Sequence, residues 1–196
     1  MSDHEKEKWD RRYAAGEYTP RPQPAPLLED WIDRIPRGRA LDVACGAGRN
    51  ALRLAEAGFD VEAIDISATA LEMAAAEAAR RGLDIVWRQA DLDHLDLGDD
   101  SYDLITVIRY RNRALWPRLI AALAPDGWLL AEHHMKSTLP VAGPPSPEFR
   151  LDPQELLAES ASLRILFYSE TLEAADKSEG TYAIQRLVAC NGDPGF

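Results

Sequence analysis

The stretch Asp42-Val43-Ala44-Cys45-Gly46-Ala47-Gly48-Arg49-Asn50 sets two glycines, an acid and a cysteine between an apolar run and an amphipathic one. Glycines in a strand-to-helix turn let backbone approach a ligand at the helix amino end, in the crevice at the carboxyl ends of the strands. Gly46-Ala47-Gly48-Arg49-Asn50-Ala51 also fits the loose dinucleotide pattern, although a tight turn without any ligand explains such a hexapeptide equally well. Asp65 closes the next apolar run, 17 residues after Gly48. A carboxylate there accepts two hydrogen bonds from ribose hydroxyls; its plainer role is to cap the helix that begins near Ser67. The pair of features points to an adenosine-bearing cofactor.

Two cofactor classes put an acid at that place, the nicotinamides and S-adenosylmethionine, and Asp65 does not separate them. Asp42 bears on the choice, because it lies inside the first apolar run, four residues before Gly46. A charge there is costly unless a ligand or backbone amides satisfy it. A pyrophosphate has no use for it, whereas the ammonium group of a methionine does. Asp91, in Gln89-Ala90-Asp91-Leu92, is placed to bond an adenine amino group while Leu92 packs on the ring; the alternative is a solvated loop acid.

On the acceptor side, Ile108-Arg109-Tyr110-Arg111-Asn112-Arg113 carries three arginines in five residues. Arg109 and Arg113 flank the expected reaction point and are candidates, with Tyr110, for binding an anionic substrate through bidentate hydrogen bonds. Arg111 is expected to pair with surface acids. The loop itself offers no equally close acid to cancel Arg109 and Arg113. If the nucleophile must lose a proton, His133, His134 and Tyr110 are the candidates for a general base, and a packed or solvated histidine is the plainer reading of the first two. Adjacent strand residues point to opposite faces, so at most one of the two histidines faces the cleft. No histidine set has metal-ligand spacing, and no metal is expected.

The elements that position these residues follow from periodicity. Residues 4–15 read as a polar helix, followed by a segment with Pro20, Pro22, Pro24 and Pro26 that cannot be regular helix. A short helix is expected over 27–35. Strands are expected over 39–44, 61–64, 85–89, 102–108 and 128–133, with helices over 49–57, from Ser67 to Arg81-Gly82, and over 113–123. Pro125-Asp126-Gly127 reads as a turn, and Asp152-Pro153-Gln154-Glu155 as a helix start with an acidic cap. Strands over 163–171 and 182–190 have only the polar 173–180 stretch between them and should pair antiparallel. The resulting fold is α/β, a seven-stranded, mostly parallel Rossmann-like sheet with helices on both faces and an antiparallel C-terminal hairpin. It is read as one domain over 1–196: a helix and proline-rich cover over 1–26, a cofactor-binding core over 27–135, and a loop, helix and hairpin over 136–196.

Composition bounds the partners. The chain has 196 residues, 46% of them hydrophobic, and a net charge of −11. Such a chain can build a core, and it repels polyphosphate and anionic lipid. A small-molecule substrate is expected, with no nucleic acid and no membrane, in a cytoplasmic setting; oligomeric state is not legible. The polar amino end does not read as a secretory signal.

Taken together, Leu41-Asp42-Val43-Ala44-Cys45-Gly46-Ala47-Gly48, Asp65, Asp91-Leu92 and the closing hairpin resemble a class I S-adenosylmethionine-dependent methyltransferase. Gly48-Arg49-Asn50 and Trp9-Asp10-Arg11-Arg12-Tyr13 are similar to its tellurite-resistance and thiopurine methyltransferase-like branch. The resemblance implies that Gly46 and Gly48 border the methionine part of S-adenosylmethionine, with backbone contacts from Ala44 and Cys45. It implies that Asp65 holds the ribose and that Ile66 packs on adenine. Arg49, Asn50 and Ile108 are grouped with the same site. Trp9, Arg12 and Tyr13 match an amino-terminal helix that closes over the cofactor, with Arg12 toward its carboxylate. Ala44 departs from the usual glycine, and an extended backbone at that position would tolerate its methyl group. The implied activity is methyl transfer to a small acceptor, anionic or a soft sulfur, selenium or tellurium nucleophile. A binding protein that holds the cofactor without turnover and a nicotinamide-dependent oxidoreductase are the alternatives.

Overall fold

The computed structural model describes residues 3–17, 20–99, 101–175 and 179–196. Met1 and Ser2 of the polar amino end, Tyr18 and Thr19 of the proline-rich cover, and 176–178 of the stretch between the last strands lie outside them.

Seven strands form one sheet in the order β3-β2-β1-β4-β5-β7-β6. They are β1 (Arg39–Val43), β2 (Asp60–Asp65), β3 (Val86–Gln89), β4 (Tyr102–Ile108), β5 (Leu123–His134), β6 (Arg164–Ala174) and β7 (Thr181–Cys190). The first five are parallel; β7 runs antiparallel between β5 and β6. This is the expected sheet, including its closing hairpin. The helices are α1 (Asp3–Ala14), α2 (Pro26–Trp31), α3 (Arg49–Glu56), α4 (Ala68–Arg81), α5 (Trp116–Ala121) and α6 (Glu155–Glu159).

Alternation along the strands sorts the core into two layers. Leu104, Trp128, Leu130 and Val188 pack with α2 and α3 on one face; Leu41, Val43, Ile105, Val107 and Leu129 pack with α5 and α6 on the other. Each buried Leu, Ile or Val contributes about 1.5–3 kcal/mol, so these central strands are the rigid base on which the loops at their carboxyl ends stand. Local chemistry sets the helix ends. Ser67 caps α4 by accepting from the Ala70 amide at 3.2 Å, and Gly82 ends it in the left-handed conformation.

Several boundaries differ from expectation: the helix over 27–35 ends at Trp31 and continues as a 3-10 turn, and β6 runs on to Ala174, into the stretch read as a connection. The helix over 113–123 is a 3-10 turn at Arg113–Leu115 followed by the shorter α5. Pro125-Asp126-Gly127 does not precede β5 but bulges within it, because Leu123 already pairs with Tyr102 and pairing resumes at Trp128 opposite Leu104. At 152–155 only the glutamate half of the expected capping box forms; the Asp152 side chain pairs with Lys136 instead, and α6 begins at Glu155. The Glu155 carboxylate accepts from the Asp152 amide at 2.6 Å, while Gln154 takes a positive φ of 61°.

Candidate cofactor and acceptor site

The loop after β1 is held from below by Asp42. Gly48 is the N-cap of α3 and has no side chain to accept from the helix amides. Asp42 supplies the missing oxygen from the neighbouring strand, accepting from the Ala51 amide at 3.1 Å and from the Thr106 hydroxyl at 2.8 Å. It is 1% exposed and does not line the cleft, so its carboxylate is satisfied by the protein and not by a ligand ammonium. Burial pushes its pKa up to about 7, against the pull of Thr106, Arg49 and Ala51. Asp42 therefore does not discriminate between cofactor classes; it shapes the loop.

Above it, Ala44 has a φ of 53°, left-handed rather than extended as expected. An alanine there carries a strain of about 1–2 kcal/mol that glycine would not. Gly46 needs its own lack of a side chain, since a Cβ would lie 2.7 Å from the Tyr13 hydroxyl oxygen. Gly48 does a different job from the one implied. It does not line the cleft, and a Cβ on it would strike Trp87 and Ala74 at 2.7 and 2.9 Å.

Asp65 stands at the carboxyl end of β2 and faces this loop. It accepts from the Gly46 amide at 2.8 Å and from the Ser67 amide at 2.9 Å. Burial raises its pKa, partly offset by those amides. A carboxylate has about four acceptor positions, so capacity remains for a ligand hydroxyl. The surrounding cleft, of about 150 Å³, is lined by Ala44, Cys45, Gly46, Asp65, Ile66, Leu92 and Ile108 from the sheet side. Trp9, Tyr13, Pro20 and Arg21 enclose it from the amino-terminal side. Arg49 and Asn50 also line it; Asn50 accepts from the Ala25 amide at 2.9 Å, tying α2 to α3. This donor and acceptor set fits an adenosine with an amino-acid tail: an acid toward ribose, an apolar wall for a base, and a glycine loop at a helix amino end.

Other expected residues fall elsewhere. Arg12 stacks on Trp9, 4.7 Å from its ring centroid, and does not line the cleft. Asp91 accepts from the Asp93 amide and faces His94, leaving Leu92 as the lining residue of that pair. Arg113 is removed from the cleft by a bidentate pair with Glu155 at 2.6 and 2.9 Å. Arg111, as expected, is paired, with Glu155 and Glu159 of α6. The cancelling acids come from α6, more than 40 residues along the chain, where the loop sequence gives no sign of them.

Arg109 is the arginine that stays. It directly follows β4, at a φ of 63°, and lines the cleft. Its Nε donates to Glu132 at 2.7 Å, Nη1 donates to His134 Nε2 at 2.8 Å, and Nη2 lies 3.6 Å from Glu173. Arg186 donates to the other Glu132 oxygen at 2.7 Å and to Glu173 at 2.6 Å, closing a ring of two arginines and two glutamates. Burial pushes Glu132 up, but Arg109 and Arg186 together hold its carboxyl below the usual range.

Neither histidine lines a cleft; both are buried and packed. Burial, reinforced by Arg109, lowers His134 to about 3, and burial lowers His133 to about 4. The two point to opposite faces as expected, His134 toward Arg109 and Tyr182, His133 toward the Phe149 carbonyl. Tyr110 lines the cleft, and burial raises its pKa, so it keeps its proton.

Beside this cleft lies a larger one of about 580 Å³, on the α2 face of β5, β7 and β6. Arg21, Arg49 and Arg109 line both. Sequence reasoning missed the larger cleft. The available signal was the pair of charges, Glu132 and Arg186, inside otherwise apolar strands.

Among the described residues no helix is long and apolar enough to cross a membrane, and no group of three or more potential ligands gathers for a metal. Residues 40–127 match the family described as methyltransferase domain. A putative methyltransferase of Geobacillus sp. (strain WCH70) is 34% identical over 49% of this chain and 42% of its own. A ubiquinone biosynthesis O-methyltransferase of Bordetella avium is 30% identical over 53% of this chain and 47% of its own. The chain thus spans less than half the length of these relatives. The crystal structure of TehB from Haemophilus influenzae superposes with a TM-score of 0.76 at 19% identity, covering 92% of this chain and 66% of that one.

Proposed function

We propose that this chain, whose residues 40–127 match a methyltransferase domain, transfers a methyl group from S-adenosylmethionine to a small-molecule acceptor at the junction beside Arg109. The observation that carries the reading is the Asp65–Gly46 cradle, an acid with spare acceptor capacity locked to a glycine loop over a helix amino end. When bound, S-adenosylmethionine supplies a methyl group already activated on a sulfonium. The chain's own residues then have to orient and exclude water. Asp65 holds the ribose hydroxyls, Ile66, Leu92 and Ile108 hold the base, and Trp9 and Tyr13 close the amino-terminal side.

The acceptor meets Arg109, one of three arginines that line both clefts, and this favours an anionic or soft nucleophile. The tellurite-resistance-like branch, which the helix bearing Trp9 and Tyr13 favours, brings thiolates and selenium or tellurium oxyanions into the acceptor screen. One relative is named an O-methyltransferase, so oxygen acids belong in the same screen.

Titration calorimetry with S-adenosylhomocysteine and with NAD tests the cofactor. Asp65→Ala removes two charge-assisted hydrogen bonds worth about 2–4 kcal/mol, a loss of roughly 30- to 1000-fold in affinity. Unchanged affinity overturns the ribose assignment, and binding of NAD alone overturns the cofactor class.

A further inference from the structure

Resting on that reading of the cofactor cleft, we propose that the 580 Å³ groove is the acceptor site and that it takes a flat aromatic acid. Its anionic, nucleophile-bearing end would lie at Arg109 and its apolar ring on Trp31 and Phe167.

Size comes first. Drug-sized ligands occupy roughly 300–1,000 Å³, and the groove lies within that range. An oxyanion of a few atoms would leave most of it filled with water. The groove also shares Arg21, Arg49 and Arg109 with the cofactor cleft, so an occupant that reaches these side chains lies directly beside the bound cofactor.

Polarity is graded along it. At the far end, Trp31 and Phe167 meet with ring centroids 6.0 Å apart, and Phe167 is 36% exposed on the edge strand. Two aromatic faces at a concave surface suit a third planar ring. At the near end lies the Arg109–Glu132–Arg186–Glu173 ring, with the Arg109 guanidinium 5.0 Å from the Tyr182 ring centroid. Four arginines line the groove against three acids, Asp30, Glu132 and Glu173.

The groups at the junction also fix the protonation state of the acceptor. His134 is buried, spends Nε2 on Arg109 and does not line either cleft; Tyr110 keeps its proton; Glu132 and Glu173 are held in ion pairs. With Asp65 assigned to the ribose, none of the described residues at the junction is left as a base, and the acceptor enters already ionised, as a carboxylate or an acidic phenolate. An acceptor oxygen lone pair then forms the new bond to the methyl carbon. The carbon–sulfur bond breaks with its electron pair staying on sulfur, so a sulfonium and an anion become a neutral thioether and a neutral methyl ester or ether. No proton passes to the protein.

The probe is 2-naphthoate, followed by quenching of tryptophan fluorescence and by calorimetry, against the neutral 2-naphthylmethanol and against selenite. Wild-type protein saturated with S-adenosylhomocysteine should bind the naphthoate at least tenfold more tightly than the alcohol, and selenite should not compete. Ser169→Trp fills the groove from the exposed side of β6 and should cost the naphthoate at least tenfold in affinity while leaving S-adenosylhomocysteine affinity within twofold. Phe167→Ala, on the same edge strand, should weaken naphthoate binding severalfold and serves if the tryptophan variant does not fold. Equal binding of acid and alcohol, effective competition by selenite, or naphthoate affinity unchanged in the folded groove variants overturns the assignment. Failure of wild-type protein to bind S-adenosylhomocysteine counts instead against the cofactor reading.

Discussion

Asp42 shows how a single buried acid can serve a cofactor loop without touching a cofactor. Its oxygens cap α3 in place of the missing side chain of Gly48 and tie the turn to β4 through Thr106. The arrangement has a pH signature. Burial holds the folded pKa at about 7, above the value of about 3.9 in an unfolded chain. The folded state thus binds this proton more tightly, and between about pH 4 and 7 each rise in pH removes stability. Asp42→Asn keeps one acceptor oxygen and cannot ionise. The melting temperature of the variant, minus that of wild type, should therefore increase from pH 5 to pH 8 by several degrees. His133 and His134, kept neutral by burial, favour stability with the opposite pH trend up to about 6.5, but they are common to both proteins and cancel in the difference. A difference that stays flat with pH would mean that Asp42 titrates like an exposed aspartate.

At the scale of elements, α1 is the part whose position decides access. Asp10 accepts from the Ser67 hydroxyl at 2.7 Å and from the Thr69 amide at 3.1 Å, so α1 is latched to the amino end of α4. In this position Tyr13 stands over Gly46, and the remaining cleft of about 150 Å³ is below the roughly 300 Å³ typical of ligand pockets. We propose that release of this latch opens the amino-terminal side to an entering cofactor and that α1 then closes on it. Asp10→Ala should raise the rate of tryptic cleavage at Arg11 and Arg12 roughly tenfold, the effect of losing about 1.4 kcal/mol of latch. S-adenosylhomocysteine should slow cleavage in wild type. Equal rates in the variant and wild type would remove the latch from the account. The strands, α4 and the ligand-facing turn were legible because each is written in local periodicity and punctuation: Ser67 and Gly82 mark α4, and Asp65 marks the end of β2. Three things were not legible, each for a physical reason. The left-handed backbone of Ala44 is imposed by the loop against the preference of its residue type. The pairing of Arg113 depends on Glu155, which only the tertiary fold brings near. The large groove is made from alternate positions of three strands, and no contiguous stretch of sequence announces it.

For the whole molecule, the sheet order divides labour between a centre and an edge. β1 lies between β2 and β4, and Ala40, Leu41, Asp42 and Val43 are all at most 1% exposed, so the cofactor loop springs from the least deformable part of the protein. The groove that we assign to the acceptor uses β6, an edge strand with one unpaired side and with Phe167 and Leu172 exposed. A fixed cradle for an invariant cofactor and an adaptable wall for a variable acceptor follow from this placement, because edge strands open locally while central ones wait for global unfolding. Amide exchange measures the division directly. Amides of β1 and β4 should exchange only through global unfolding, while those of β6 that face solvent should exchange on the order of 100-fold faster, a difference of about 3 kcal/mol in opening free energy. The short β3, with Val86 59% exposed at the opposite edge, provides the internal control and should behave like β6. Protection of β6 equal to that of β4 would show one cooperative unit reaching the groove, and its wall would then be as rigid as the cofactor cradle.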